Sequence, residues 1–225
     1  MTYLFDNSPN DSSKNDEQIK AGHFDIVTTG FDCNITDKNI KKYQIIYADP
    51  PWRQSKGGKK AARPNSSGEK LDYQVISLEE IEQHLKDIIS KYADEQSVLF
   101  LWTIDKYLFE AQAIAERLGY KLHARMIWNK VTGIPAAFTI RYGHEYMLYM
   151  YRGNLIPVAL QERGKIHSVF TEQVKKHSQK PEIAYEIIER LYPNYNKVEL
   201  YARNKRIGWD VWGNEVASDI AITNQ

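Results

Sequence analysis

Tyr43-Gln44-Ile45-Ile46-Tyr47-Ala48-Asp49-Pro50-Pro51-Trp52 is a short apolar run, β-branched and aromatic, that ends in an acid, two prolines and an indole. The run predicts a buried strand over Gln44 to Ala48. Asp49 then stands at its carboxyl end, where open α/β sheets place their ligands. The two prolines stop the strand, fix the backbone and remove two N–H donors, so carbonyls face outward with no intrachain claim on them. An acceptor-rich corner beside an aromatic wall suits a flat group that carries N–H donors, such as the exocyclic amine of a nucleobase. The bland alternative is a proline-stiffened turn with Trp52 as ordinary core, and the neighbouring segments decide between the two.

Downstream, Arg53 to Lys70 has no apolar periodicity and carries Arg53, Lys56, Lys59, Lys60, Arg63 and Lys70 against one acid, Glu69. Such a long loop is either functional or a solvated excursion, and its place directly after the corner favours a basic flap that holds phosphates. Ser77-Leu78-Glu79-Glu80 has the form of a capping box. Leu78, Ile81, Leu85, Ile88 and Ile89 then predict a helix over Leu78 to Tyr92 with one buried face. Ser97 to Trp102 reads as a buried parallel strand, and a helix from Asp105 to Leu118 is closed by Gly119. Leu122 to Trp128 and Glu145 to Tyr151 read as strands. Thr132 to Phe138 and Gly153 to Gln179 read as irregular, the latter with a second basic group in Arg163, Lys165, His167, Lys175, Lys176 and His177. Pro181 suits the first turn of a helix over Glu182 to Leu191, and Lys197 to Ala202 is a last core strand. Upstream, Phe24 to Val27 reads as a short strand. Strands alternating with helices argue for an α/β fold with an open, mostly parallel central sheet and helices on both faces.

Composition bounds the rest. At 225 residues and 42% hydrophobic the chain can bury a full core. A mobile arm is expected over residues 1–20, one domain over 21–216 and a frayed tail over 217–225. The single cysteine, Cys33, excludes an intrachain disulfide framework and a Cys-based zinc cluster, and suits a reducing compartment. No apolar run has the length of a membrane span and no signal-peptide pattern opens the chain, so a cytoplasmic location with no membrane partner is expected. With a net charge of +1, contact with nucleic acid must come from local patches. Neither a Gly-x-Gly-x-x-Gly nor a P-loop pattern is present to cradle phosphates, and no His, Asp and Glu spacing reads as a metal site.

A second strand end carries polar residues that an inert sheet does not need: Glu199-Leu200-Tyr201-Ala202-Arg203-Asn204. If it shares an edge with Asp49, the two frame one cleft. Lys180, just before the helix that leads into that strand, reaches such a cleft and can bind a carboxylate. Arg203 and Asn204 offer donors for ribose hydroxyls or a carboxylate, and Asn214 and Glu215 offer an amide and an acid for a ribose or an adenine. The set fits a zwitterionic nucleoside better than a nucleotide. His144-Glu145 reads either as support behind the site or as a partly buried structural pair, and Trp102 and Trp128 read as core.

These residues resemble the MT-A70 group of adenine-N6 methyltransferases. The resemblance spans about Gln44 to Val216 and is carried by Asp49-Pro50-Pro51-Trp52, Leu99-Phe100-Leu101-Trp102, Gly119-Tyr120, Ile127-Trp128-Asn129-Lys130, His177-Ser178-Gln179-Lys180-Pro181, Glu199-Leu200-Tyr201-Ala202-Arg203 and Gly208-Trp209-Asp210-Val211-Trp212-Gly213-Asn214-Glu215. It implies a Rossmann-like methyltransferase fold in circularly permuted motif order and S-adenosylmethionine as methyl donor. It further implies that Asp49 and the carbonyl of Pro50 accept from the target amine, with Pro51 and Trp52 completing the corner. On the donor side it implies Asp49, Lys180, Glu199, Leu200, Arg203, Asn204, Asn214 and Glu215, with Asn34 and Ile35 in the upstream segment near the donor adenine. Tyr73 matches a position near the target pocket, and Arg53, Lys56, Lys59, Lys60, Arg63, Lys175 and Lys176 are the expected nucleic-acid contacts. The implied partner is nucleic acid with a single-stranded or flipped adenine, and a homodimer or a paralogous partner subunit is compatible. Competing readings are a noncatalytic nucleic-acid-binding subunit of the same fold, and methylation of the cytosine amine.

Overall fold

A computed structural model describes residues 40–53, 76–134, 139–175 and 179–221, all within one compact unit, Lys38–Gln225. Seven strands form a single sheet in the order β5-β3-β4-β2-β1-β6-β7, where β1 is Tyr43–Ala48, β2 Ala93–Thr103, β3 Lys121–Asn129, β4 His144–Arg152, β5 Val169–Thr171, β6 Lys197–Leu200 and β7 Asp210–Trp212. β1 lies between β2 and β6 and is parallel to both. β4 runs against its neighbours β2 and β3, while β5 and β7 are parallel to β3 and β6. The sheet is therefore mostly parallel with one reversed strand, a mixed α/β architecture of the expected Rossmann-like kind. The expected strand at Phe24 to Val27 lies outside the described residues.

Helices cover both faces. α1 (Leu78–Tyr92) and α2 (Leu108–Arg117) pack with Ile46, Ala48, Leu99 and Leu101 on one side. α3 (Glu182–Leu191) packs with Ile45, Tyr47, Val98, Phe100 and Trp102 on the other. Successive β1 residues thus alternate between two cores, which is why the run reads as continuously apolar rather than alternating. The capping box is present in full, with the Ser77 side chain accepting from the Glu80 N–H and the Glu80 carboxylate accepting from the Ser77 N–H. α2 is preceded by a 3₁₀ turn, Asp105–Tyr107, and ends in a Schellman arrangement. There Gly119 (φ +88°) donates to Glu116 and Tyr120 to Ala115.

β7 was not expected from the sequence, and four further segments depart from expectation. β2 begins at Ala93, directly after α1, because the polar Asp94-Glu95-Gln96 still continues the strand. Pro181 is the N-cap of α3 rather than a first-turn residue. Gly153 to Gln179 is not wholly irregular, since Val169–Thr171 adds β5 beside β3. The chain past Val216 is anchored as far as Ala221: Asp219 accepts from the Val211 N–H and from Lys205, Ile220 is buried, and Ala221 exchanges hydrogen bonds with the Tyr92 hydroxyl. Among the described residues no helix is long and apolar enough to cross a membrane.

Candidate active site

Adjacent parallel strands bring the two polar strand ends to one edge of the sheet. Ala48 is the register partner of Leu200, and the Asp49 N–H donates to the Leu200 carbonyl at 3.4 Å. The chain then turns at Tyr201, whose φ of +63° is rare for a residue other than glycine. It returns through β7, where the Ala202 N–H donates to the Trp212 carbonyl at 2.9 Å. A side chain at Gly213 would place its Cβ 2.0 Å from the Ala202 carbonyl oxygen, so only glycine permits this approach. The approach sets Arg203 Nε 3.6 Å from Glu215 Oε1. Arg203, Asn204, Asn214 and Glu215 are all exposed around this join.

Beside them, one ammonium ties two acids together. Lys180 Nζ lies 2.8 Å from Asp49 Oδ1 and 3.0 Å from Glu145 Oε2, over the face of Trp102 at 5.2 Å from the ring centroid. Glu145 also pairs with Lys130 at 2.5 Å, and Lys130 lies over Trp128 in the same manner, 5.2 Å from its centroid. Burial alone would lower the Lys180 pKa, but Asp49 and Glu145 outweigh it and the ammonium is held above its ordinary range. Burial likewise presses the Glu145 carboxyl up, yet Lys180 and Lys130 bring it below its usual value. Asp49 has only Lys180 nearby in strength, so desolvation prevails and its pKa is raised.

The prolines do what their chemistry predicts, with one difference. The Trp52 N–H folds back on the Pro50 carbonyl at 2.8 Å, so that carbonyl is not without an intrachain donor. A carbonyl has two lone pairs, and this hydrogen bond uses one of them. Trp52 is 4% exposed, donates its ring N–H to the Trp102 carbonyl at 2.8 Å and stacks on Tyr107 at 5.6 Å. It braces the corner from within the core instead of standing open as a wall. Pro50 is buried and Pro51 half-buried.

Several expected ligand contacts sit behind the surface. Leu200 is fully buried, and its carbonyl serves the Asp49 N–H. Glu199 is 9% exposed and accepts from the Tyr185 hydroxyl at 2.8 Å. Burial raises its pKa to about 7 against the help of that hydrogen bond, and the nearby Asp49 charge adds to the rise. Next to it the Tyr47 hydroxyl, on the register partner of Glu199, is buried with no hydrogen-bond partner among the described residues. Trp102 and Trp128 are core, as read. Arg53 is exposed, with its carbonyl taken by the Tyr107 hydroxyl at 2.6 Å. Lys175 pairs at 3.1 Å with Glu172, whose two oxygens accept from the Glu182 and Ile183 N–H groups and so cap α3. Asn34, Ile35, Lys56, Lys59, Lys60, Arg63, Tyr73 and Lys176 lie outside the described residues.

Sequence reasoning left Glu145 undecided and did not single out Lys130, Glu172 or Tyr185. The signal for Glu145 was its place at the start of a strand, which is informative once that strand is antiparallel, because its start then meets the carboxyl ends of the others. Among the described residues no group of three or more His, Cys, Asp or Glu is arranged to hold a metal ion. A cavity of about 330 Å³ between the amino half of β3 and the end of α3 is lined by residues such as Ala124, Met126, Ile156 and Leu191, and by none of the corner.

Comparison with known proteins identifies the family. The MT-A70 family model matches residues 43–215. The Type II methyltransferase M.MunI of Mycoplasma sp is 31% identical over 191 residues, which cover 78% of each chain. A putative N(6)-adenosine-methyltransferase MT-A70-like protein of Medicago truncatula is 27% identical over 79% of this chain but 27% of its own length. The N(6)-adenosine-methyltransferase catalytic subunit METTL3 of Homo sapiens is 24% identical over 79% of this chain and 29% of its own. The chain thus spans under a third of the length of the plant and human relatives. With the family model covering the sheet from β1 through β7, the chain belongs to the MT-A70 family.

Proposed function

We propose that the protein is an S-adenosylmethionine-dependent methyltransferase that acts on the N6 amine of adenine in nucleic acid. The observation that carries this reading is the buried chain of ion pairs from Lys130 through Glu145 and Lys180 to Asp49 at the Asp49-Pro50-Pro51-Trp52 corner. An inert sheet edge has no use for two half-buried lysines and two acids. A noncatalytic subunit has no need to keep them aligned.

The chain's residues fit the donor. S-adenosylmethionine, when bound, supplies a methyl group made electrophilic by a sulfonium centre. Arg203, Asn204, Asn214 and Glu215 provide hydrogen-bond partners of both kinds for ribose and adenine, and the side-chain-free Gly213 lets them converge. Lys180 has three N–H groups, of which two serve Asp49 and Glu145, which leaves one for the donor's carboxylate.

The adenine amine is a weak nucleophile because its lone pair is delocalised into the ring. Asp49 accepts one amine N–H and the second lone pair of the Pro50 carbonyl accepts the other, which favours a pyramidal nitrogen and aims its lone pair outward. Lys180 fixes the Asp49 carboxylate, and Trp52 fixes the corner. The raised pKa of Asp49 suits a group that takes up the proton released from the methylated amine. Because a paired base cannot offer this amine, the adenine enters single-stranded or flipped.

The test is incubation with labelled donor and matched DNA and RNA oligonucleotides, followed by identification of the modified nucleoside. N6-methyladenine in one polymer is expected; donor binding by calorimetry with no methylated adenine in any substrate overturns the reading, and methylcytosine redirects it. Asp49→Ala should abolish transfer and leave donor affinity within a few-fold, whereas equal loss of both would assign Asp49 to the donor.

A further inference from the structure

The cavity of about 330 Å³ beside the end of α3 is a built feature of the fold. Its floor is apolar, since Met126, Tyr149, Ile156 and Leu191 are each 7% exposed or less. The Tyr149 hydroxyl pairs with the Tyr192 hydroxyl, so the ring is what this side chain offers the floor. One wall is the chain from Leu155 to Ser168, and it is stitched down along its length. The Ala159 N–H donates to the Leu191 carbonyl at 2.9 Å, Arg190 holds the Glu162 carboxylate at 2.5 Å, and the Ser168 carbonyl accepts from the Ile127 N–H at 2.7 Å. His123 stands exposed at the rim because β3 slips register between Leu122 and Ala124, and such a bulge re-aims a side chain. Its ring meets Tyr149 edge to face, with 4.7 Å between centroids. Packed interiors leave few voids of this size, and small-molecule sites begin at roughly 300 Å³.

Charge indicates what the cavity takes. Arg163 and Lys165 flank Gly164 on its lining, His167 lines it as well, and all three side chains are exposed. Neither Arg163 nor Lys165 has an ion-pair partner among the described residues. The one acid on the lining, Glu162, keeps 14% of its side chain exposed and is neutralised by Arg190. An apolar floor below a cationic rim fits an occupant with two unlike halves, an apolar body for the floor and an anionic group for the rim. The cavity also stands apart from the chemistry above. It lies at the amino half of β3, whereas Lys130, just past the carboxyl end of that strand, belongs to the ion-pair chain that ends on Asp49.

We propose that this cavity is a binding site for a small aromatic anion, a compact ring system that bears one carboxylate or phosphate, and that it is separate from the sites for the donor and the target base. The rings pack on Met126, Ile156 and Tyr149 with the His123 ring as a side wall, an arrangement in which edge contacts between rings add to the apolar burial. The anionic group faces Arg163 and Lys165. A second copy of the chain is a poorer occupant, because it would bring a rim of the same charge against this one.

The test is calorimetry on the full chain with three probes: a naphthalene carboxylate, naphthyl phosphate and the uncharged naphthalene carboxamide. It needs no turnover, so its outcome is independent of the assigned reaction. The carboxylate or the phosphate should bind one to a chain and about fivefold or more tighter than the carboxamide, and the tighter of the two names the anion. Ala124→Leu fills the cavity from the half-buried Ala124 and should weaken all three probes about tenfold or more, with the melting temperature kept. Arg163→Glu combined with Lys165→Glu changes only exposed positions and keeps the test decisive if Ala124→Leu does not fold. It should weaken the anions about tenfold and the carboxamide by less than about twofold. Saturating S-adenosylmethionine should leave these affinities unchanged. No binding, equal binding of the carboxamide and the anions, or binding that survives both variants would overturn the proposal. So would displacement of the probe by a single-stranded oligonucleotide, which would make the rim part of a nucleic-acid path.

Discussion

Glu145 carries two lysines, and its loss is the sharpest residue-scale test. Lys180 and Lys130 keep only 14% and 15% of their side chains exposed. Glu145→Gln leaves both with a neutral partner, and removing one member of such a buried set costs about 3–5 kcal/mol. Urea denaturation should show a loss of that order, with a fall in transfer rate because Lys180 is freed to shift toward Asp49. Glu199 gives a test in pH. It holds its proton in the folded chain up to about pH 7, whereas the unfolded chain releases it near about pH 4.3. Between these values the folded state binds more protons, so stability falls as pH rises through the window, by roughly 4 kcal/mol in all. Glu199→Gln should flatten that slope in denaturation between pH 5 and 8. Asp49 stood out in the sequence because an acid before two prolines is chemically odd, and the structure pairs it with Lys180. Glu145 was not, because nothing in its sequence neighbourhood reveals which lysines reach it from residues 130 and 180.

At the scale of elements, local rules held for the start of α1 and the end of α2 but not for Pro181, which stands at the N-cap of α3 instead of in its first turn. The capping box at Ser77 and the glycine closing α2 are written in adjacent residues, and both are present. Ser77→Ala should therefore lower stability by about 1 kcal/mol while leaving donor binding unchanged, measured by denaturation and calorimetry. The cap of α3 was not legible, since it comes from Glu172, ten residues before Glu182. Its two hydrogen bonds to the first turn bring the Glu172 pKa down even though burial presses it up. Glu172→Ala should cost a similar amount, and it should also loosen Lys180 at the head of α3, so that donor affinity falls as well. β5 and β7, three residues each, escaped notice because period-two patterns need more length than that to stand out.

At the scale of the whole molecule, the alternation of strands and helices announced an open α/β sheet, and the two cores on its faces follow from that. The reversal of β4 was not announced, because strand direction is set by a connection whose length alone does not fix it. Gly213 tests whether the join of β6 and β7 is as tight as it looks. Gly213→Ala forces its new methyl group into the Ala202 backbone, which cannot move without shifting the end of β6. Loss of donor binding and a lower melting temperature are expected together, whereas a well-folded variant with normal donor affinity would mean that the two backbones can part.

The pairing of β1 with β6 has a consequence for synthesis. Ile45 and Ile46 meet Lys197 and Val198, so the strand that delivers Asp49 waits for residues about 150 positions later before its second side is covered. On the ribosome β1 is complete early, yet its open edge stays exposed until nearly the whole domain has emerged. On the proposed function, an interrupted chain therefore has Asp49 without the residues assigned to the donor. It is silent as an enzyme and adhesive as a strand, which makes stalled products of this chain a matter for quality control rather than for unwanted modification.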